Sequence, residues 1–537
     1  MLPELKKAFT WSSDERIFQY LMFLFLSLFV ISLPTSRAFV SIAQILLAAN
    51  WLVEGTFKEK FNRLKENRAS LYLIGVFFIY AFGLFWTQDL SHGVSVMKNK
   101  LPYLSLILVV ASSRPLKNQR ILVLPLLFAA SVLFTTFAGA LVVLSETHTD
   151  PRDVSPFIPH IHLSMMILMT ALFMPWFMRR ISANNQWYYV SLAVSVWLIV
   201  FLFIMGTLTG IIALLVIGVF LFLRDLIKKP GLGNSIIFGL MVVAVAVTSF
   251  NTMRQVVEPI YRQIDPEPHE YHELTAMGNA YTHDKELELR ENGYLVFSFI
   301  AEDELRNAWN RRSAIGFDSL DQAGNELKYT LYRFMSSRGL RKDEAALEML
   351  SDEEIKAVEQ GVPNYLYMGW PNVYVRIHQT FWELHAYRQT GNPTGHSFTQ
   401  RIEVWRAGIL AAKMRPVFGW GTGGHIIALH TGLELIDSSF NAFVLRHVHN
   451  QLLHLVIMLG ITGLIAIFAL YYMFIRQSGA IRYLPFNILI VIVMVFMLGN
   501  SPLDSQMSLN FILFFALYFG VLMPRLEKTH TPIRMHN

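Results

Sequence analysis

Three groups of residues in this chain have the types and spacing to do chemistry. In "RHVHNQLLHLVIMLGITG", Arg446, His447, His449 and Asn450 stand at the mouth of a long apolar run. A histidine titrates near neutrality and can take a proton from a hydroxyl. The same residues could equally cap a helix at a membrane interface. The His-x-His spacing could suggest a metal, but no carboxylate or cysteine lies close in sequence, which argues against zinc. In "GHSFTQRIEVWRAGILAAKMRPVFGWGTGG", Arg401, Trp405 and Gly408 recur at helical spacing, before Pro416 and the glycines Gly419, Gly421, Gly423 and Gly424 break the helix. Repeated glycines let backbone amides converge on an anion such as a phosphate. The plainer alternative, a reversal between two interfacial helices, is the stronger reading of a glycine-rich turn taken alone. In "PRDVSPFIPHIHLS", Arg152, Asp153, His160 and His162 precede another apolar run. A Pro-rich turn capping a helix accounts for them as well as a binding role does.

The elements that must hold these groups are set by composition. Of 537 residues, 53% are hydrophobic and only 16% charged, which is not a soluble composition. A span needs about 20 mostly apolar residues, because every backbone amide must be satisfied inside it. Such runs fall near 17–34, 38–54, 70–86, 101–112, 120–144, 160–178, 187–206, 208–224, 234–250, 450–475, 484–500 and 507–524. The expected fold is therefore an all-α polytopic membrane protein of about twelve transmembrane helices with a long, mainly helical extramembrane segment. Residues 1–250 form an N-terminal bundle of about nine helices, 251–449 the long segment, and 450–537 about three helices and a tail. The absence of cysteine excludes disulfides, thiol nucleophiles and cysteine-bound metals.

Alternate loops are basic: Lys58, Lys60, Arg63, Lys65 and Arg68; Arg114, Lys117 and Arg120; Arg179 and Arg180; Arg224, Lys228 and Lys229; Arg476 and Arg482. By the positive-inside rule these loops and both termini are cytoplasmic. The short loops of opposite parity carry only Arg37, Lys98, Lys100 and Arg152. The net charge of +6 thus reports topology, and nucleic-acid binding is not expected. The first apolar run lacks a small-residue cleavage site and reads as a retained helix. Within the long segment, "LSDEEIKAVEQG" has a capping-box start at Ser351 and Glu354 and a stop at Gly361. "NGYLVFSFI" reads as a strand or buried segment, and "PNVYVRIHQTFWELHAYRQTGN" as a helix ending at Gly391.

At its C-terminal third the chain resembles the O-antigen ligase and polymerase superfamily, membrane glycosyltransferases of bacteria. The ligases carry His, then Asn, Ser or Gln, nine residues, Gly, two residues, and Gly, Thr or Tyr. His449, Asn450, Gly460 and Gly463 fit at every position. The upstream pattern of Arg, an aromatic four residues on, and a Pro-hydrophobic-hydrophobic-Gly-x-Gly turn is met by Arg401, Trp405, Pro416, Gly419 and Gly421. One position departs from the family: "GTLTGIIA" has Leu208 where relatives often have an arginine thought to contact the diphosphate. Arg152 and His162 are candidates to replace it.

The resemblance implies transfer of a glycan from an undecaprenyl diphosphate carrier to an acceptor hydroxyl, such as lipid A core, at the periplasmic face of the inner membrane. It implies His449 as the base and Arg401 at the diphosphate. Arg446, His447, Asn450, Gly421, Arg152 and His162 would bind substrate, with no metal or other cofactor. Donor, acceptor and membrane lipids are the implied partners. A polymerase or a protein glycosyltransferase is the nearest alternative. A transporter or flippase is disfavoured, because such proteins place ionisable groups near the midplane and the polar clusters here gather at one surface.

Overall fold

The computed structural model describes residues 17–144, 154–228, 250–284, 286–370, 372–393, 397–438 and 448–528, with the isolated positions 9, 233, 240, 247 and 248. The chain divides into two compact units. One comprises Met1–Ser145, Val154–Phe220 and Arg401–Asn537, and the other Glu146–Asp153 and Leu221–Gln400. Near the C-terminal third the two units meet in sequence at 400/401. Val404, Ala411, Trp420, Ala428 and Leu429 share one core cluster with Ile457 of helix Gln451–Ser478, which ties this stretch to the apolar helices.

The first unit is an all-α membrane bundle. Among the described residues, eight helices are long and apolar enough to cross a membrane: Arg68–Trp86, Leu90–Ser112, Asn118–Val143, His160–Ile181, Asn185–Ile204, Leu208–Lys228, Gln451–Ser478 and Gln506–Glu527. Ile17–Ser32 and Leu484–Gly499 are apolar but shorter. Arg37–Val53 bends by 115° into Phe57–Glu66, at Gly55 and Thr56, both with positive φ. These eleven helices coincide with eleven of the twelve apolar runs, and the twelfth, 234–250, lies largely outside the described residues. The run expected at 101–112 is longer than its hydropathy suggests. It continues back to Leu90 through Lys98 and Lys100, with Pro102 opening the second half.

Gln506–Glu527 is the most enclosed span, with 83% of its apolar window buried in protein, and Leu208–Lys228 the least, with 17%. Lipid is as apolar as leucine, so close packing rather than exclusion of water must hold the centre. Phe173, Phe511, Phe514, Phe515 and Phe519 supply it as an interlocked aromatic cluster.

The second unit is a helical domain with one short hairpin, Arg290–Glu291 paired antiparallel with Tyr294–Leu295. Its core gathers Trp309, Phe317, Leu331, Phe334, Leu347 and Val358. The capping box forms: Glu354 N–H donates to Ser351 Oγ at 3.2 Å, and Ser351 N–H to Glu354 Oε2 at 2.8 Å. The stop at Gly361 has φ +85°. "NGYLVFSFI" provides the second strand and buried Val296 and Ile300. Asn372–Thr390 is a helix that ends at Gly391, φ +67°.

Candidate active site

Helix Gln451–Ser478 is entered through a sharp turn. Asn450 is its N-cap, accepting from Leu453 N–H at 3.0 Å, and its amide nitrogen donates to the Leu498 carbonyl at 3.2 Å. His449 just before it has φ +53°, a left-handed conformation uncommon for a residue with a Cβ. Such strain persists only where the surroundings over-determine it. Here the preceding carbonyl, Val448, accepts the Trp405 indole N–H at 2.9 Å, and Val448 is buried. The helical spacing of "RIEVWRAG" thus has a mechanical meaning. Trp405 on helix Ser397–Met414 pins the backbone before His449, and a Cβ at Gly408 would meet Leu453 and Ile457 at 3.1 Å.

Ten residues on, the helix breaks at Gly460, φ +67° and ψ −176°. The glycine turn inserts there. Trp420 N–H donates to the Ile457 carbonyl and Gly421 N–H to Met458, each at 2.8 Å, while Ile461 N–H returns to Pro416 at 2.9 Å. The turn is fixed on its other side by Thr422, whose N–H reaches Gly83 at 3.0 Å and whose hydroxyl reaches Tyr80 at 2.6 Å. A Cβ at Gly460 would overlap the Val417 carbonyl, and one at Gly421 would lie 2.5 Å from Thr87 Cα. Glycine is required for close backbone approach. The amides of Gly419, Trp420, Gly421, Thr422, Gly423 and Gly424 all donate to protein oxygens. In this structure they are spent on backbone satisfaction and are not offered to an anion.

His449 lines a cavity of about 370 Å³. Around it stand Arg37, Asn99, His162, Asn500, Asp504 and Ser505, with Gln506 and Ser508 behind. His162 is held at both ring nitrogens, Nε2 3.0 Å from Ser505 Oγ and Nδ1 2.6 Å from Ser508 Oγ. Arg37 is the first residue of its helix, is exposed, and makes no ion pair among the described residues.

The cavity floor rests on a buried ion pair. Lys100 Nζ lies 2.5 Å from Asp504 Oδ1 and 2.6 Å from the Leu503 carbonyl. Gln451 donates to Asp504 Oδ2 at 2.9 Å and accepts from Leu503 N–H at 2.8 Å. His454 Nδ1 is 3.7 Å from the same carboxylate. Burial pushes the Asp504 carboxyl up, but the charges of His454 and Lys100 and the hydrogen bonds from Lys100 and Gln451 outweigh it. The net effect holds Asp504 well below the usual carboxylate range. His92, His425 and His454 line up beside it, ring centroids 4.8 and 4.5 Å apart. Among the described residues, no three His, Asp or Glu side chains are grouped to hold a metal.

Of the residues singled out from the sequence, the structure brings His449 and His162 into one cavity. Asn450 acts beside it as the cap. Arg401 is not a lining residue and stands one turn before Trp405 on the same helix face. Arg152, Arg446 and His447 lie outside the described residues. Leu208 is the first residue of its helix and does not line the cavity. Arg37, Lys100, Asp504, Ser505 and Ser508 were not singled out. For Arg37 and Lys100 a signal existed: both are cations on the parity where topology does not call for them.

No curated protein matches the chain. Residues 361–468, which include Trp405, the glycine turn, His449 and the break at Gly460, match the family model described as O-Antigen ligase. That match covers about a fifth of the chain and supports a likeness to the O-antigen ligase superfamily, membrane enzymes of the ligase and polymerase kind.

Proposed function

We propose that this protein moves a glycan from an undecaprenyl diphosphate carrier to an acceptor hydroxyl, that of lipid A core, at the periplasmic face of the bacterial inner membrane. The observation that carries this reading is the cavity that joins His449 to Arg37 and His162. Both termini lie in the cytoplasm and the long segment in the periplasm. In that orientation, Arg37, His162, His449 and the 500–508 turn all come from periplasmic helix ends, which suits a donor whose tail stays in lipid while its sugar stays in water.

In the proposed reaction the acceptor oxygen attacks the anomeric carbon, the bond from that carbon to the diphosphate oxygen breaks, and the hydroxyl proton passes to His449. Such a base typically contributes about 100- to 10,000-fold. Charge develops on the departing diphosphate, and guanidinium groups suit it through their fixed fork of donors. Arg401 and Arg37 take that role, Arg37 filling the place left by Leu208. His162 orients substrate through Ser505 and Ser508, and Asn450 holds the turn that presents His449. Arg446, His447 and Arg152 stand close in sequence to the same helix mouths and add positive charge. Gly421 serves the reaction through the fit of its turn.

The test is complementation of a ligase-deficient Gram-negative host, scoring glycan on lipid A core at matched expression. Wild type restores attachment, whereas His449→Ala and Arg401→Ala do not. Attachment by both variants at the wild-type level would sink the site assignment. Longer lipid-linked chains without attachment would make the protein a polymerase.

A further inference from the structure

The helical unit has a cavity of its own, of about 160 Å³, bounded by Asp265, Glu270, Tyr294, Phe299, Arg341 and Lys342. We propose that this cavity binds a sugar ring bearing one carboxylate, a hexuronic acid. It shares no residue with the cavity at His449. Its test reads binding rather than transfer, so the site stands or falls apart from the function proposed above.

The carboxylate is called for by Lys342. The lysine side chain is buried, and Nζ donates to the Leu295 carbonyl at 2.8 Å and the Ser298 carbonyl at 3.0 Å. An ammonium has three donors, so one is left for the cavity that this residue lines. No ion pair reaches Lys342 among the described residues. Burial alone lowers its pKa, where a carboxylate within reach would raise it. A buried cation without a counter-charge is costly, and two backbone carbonyls would be served as well by a neutral donor. An entering carboxylate supplies the missing charge and takes the third hydrogen bond.

The other walls select what carries that carboxylate. Asp265 is already ion-paired with Arg290, and Glu270 with Arg341 at 3.3 Å. With their charges met, these two carboxylates still have oxygen lone pairs to accept from hydroxyl groups, and little attraction left for an ammonium such as an amino acid carries. Tyr294 supplies a flat apolar wall for the C–H face of a ring. It lies against Gly339, φ +71°, where a Cβ would come within 2.7 Å of its ring, and it is 37% exposed. Phe299 has φ +59°, a genuine outlier for so bulky a residue. Residues held in this way cluster at ligand clamps. Here the strained turn brings the Ser298 carbonyl onto Lys342 and the Phe299 ring against the Arg341 guanidinium, at 4.8 Å. A cavity of this volume takes one sugar ring and not a chain of them.

The experiment is titration calorimetry of the full chain in detergent with methyl glucuronide and methyl galacturonide, against methyl glucoside, acetate and alanine. Wild type binds one uronide about tenfold more tightly than methyl glucoside, the ratio expected of one charge-assisted hydrogen bond. Lys342→Met abolishes that preference, and Tyr294→Ala weakens uronide and glucoside alike. The proposal is overturned if neither uronide binds at millimolar concentration, if glucoside, acetate or alanine binds as tightly as the uronide, or if the preference survives Lys342→Met. Should Lys342→Met not fold, a diazirine-bearing uronide locates the site in the wild type. Labelling within residues 264–270, 294–299 or 339–342 supports the assignment, and labelling confined to other segments overturns it.

Discussion

Replacing Lys100 with methionine keeps the reach of the side chain and removes its charge. The lysine side chain is fully enclosed, and the Asp504 side chain is 10% exposed. Nζ also sits 4.5 Å from the centroid of the Tyr80 ring. Breaking a buried pair from one side costs about 3–5 kcal/mol, because the remaining charge is left in a medium that solvates it poorly. In the wild type the Asp504 carboxyl is held low, so its contribution is present above the unfolded value near ~3.9 and is lost only as pH falls through the lower folded value. In Lys100→Met, burial still pushes that carboxyl up, and only His454 and the hydrogen bond from Gln451 are left to oppose it. Protonation then relieves the unpaired charge, so the variant's deficit shrinks as pH is lowered from 7 towards 5. Lys100→Met/Asp504→Asn removes both charges and keeps a partner for Gln451. It should recover most of the loss, with a coupling of about 2–3 kcal/mol for neighbours in one network. The assay is thermal unfolding of the purified protein in detergent at the two pH values. If the single variant loses no more than the ~1 kcal/mol expected of an exposed pair such as Arg306–Glu302, or the double variant is no more stable than the single, the pair does not support the cavity wall.

Gly460→Ala should destabilise by at least ~1–2 kcal/mol from its left-handed φ alone, with overlap on Val417 added. Gly218→Ala, on a span where nothing lies within 4 Å of the added atom, should leave the melting temperature level or raise it. Trp405→Phe keeps the ring but loses the hydrogen bond to Val448, typically ~0.5–1.5 kcal/mol. It should lower kcat about tenfold at constant KM, and a change confined to KM would place Trp405 in substrate binding instead. Arg37→Gln should raise KM for the diphosphate donor, with Arg37→Lys only partly restoring it; equal KM for all three would remove Arg37 from the site. In the helical unit, Lys342 donates to the Leu295 and Ser298 carbonyls, and burial pushes its ammonium down to about 7. The unfolded chain keeps that proton up to about pH 10, so stability should rise between pH 7 and 9. Lys342→Met should flatten the rise in a melting series.

Much of this was legible because membrane physics leaves few options. A run such as 160–178 must be a helix, since only an internally bonded segment can cross lipid. Ser351 with Glu354 announced a helix start because the capping box is local. The cavity was less legible, since its walls meet from positions as distant as Arg37, His162, His449 and Asp504. Lys100 was read as a loop charge because a hydropathy window cannot see Asp504 waiting as its partner. The glycine turn could be read as an anion nest for the same reason. Glycine permits close approach whether the approaching oxygen belongs to a phosphate or to the Ile457 carbonyl, and sequence does not say which.

That ambiguity bears on how the histidine motif works. Of its four positions in this chain, three have structural roles that need no substrate. Asn450 caps the helix, Gly460 opens it to receive the turn, and a Cβ at Gly463 would collide with Leu459. Thr462, between the two glycines, ties the break to Val417 with a 2.6 Å hydrogen bond. His449 is the position for which we propose chemistry, and its left-handed backbone lies between the Asn450 cap and the Val448 carbonyl that Trp405 holds. The nine residues from Gln451 to Leu459 supply about two and a half turns, enough to separate the cavity at one end from the turn docked at the other. A spacing that seems catalytic is therefore a distance requirement. The histidine must sit where the helix starts, and the helix must break where the glycine turn can carry it. Inserting one residue between His449 and Gly460 would rotate the break by about 100° and undock the turn even though every motif residue remained. Such an insertion should abolish transfer as fully as His449→Ala, with a lower melting temperature as well, whereas His449→Ala should leave folding close to wild type.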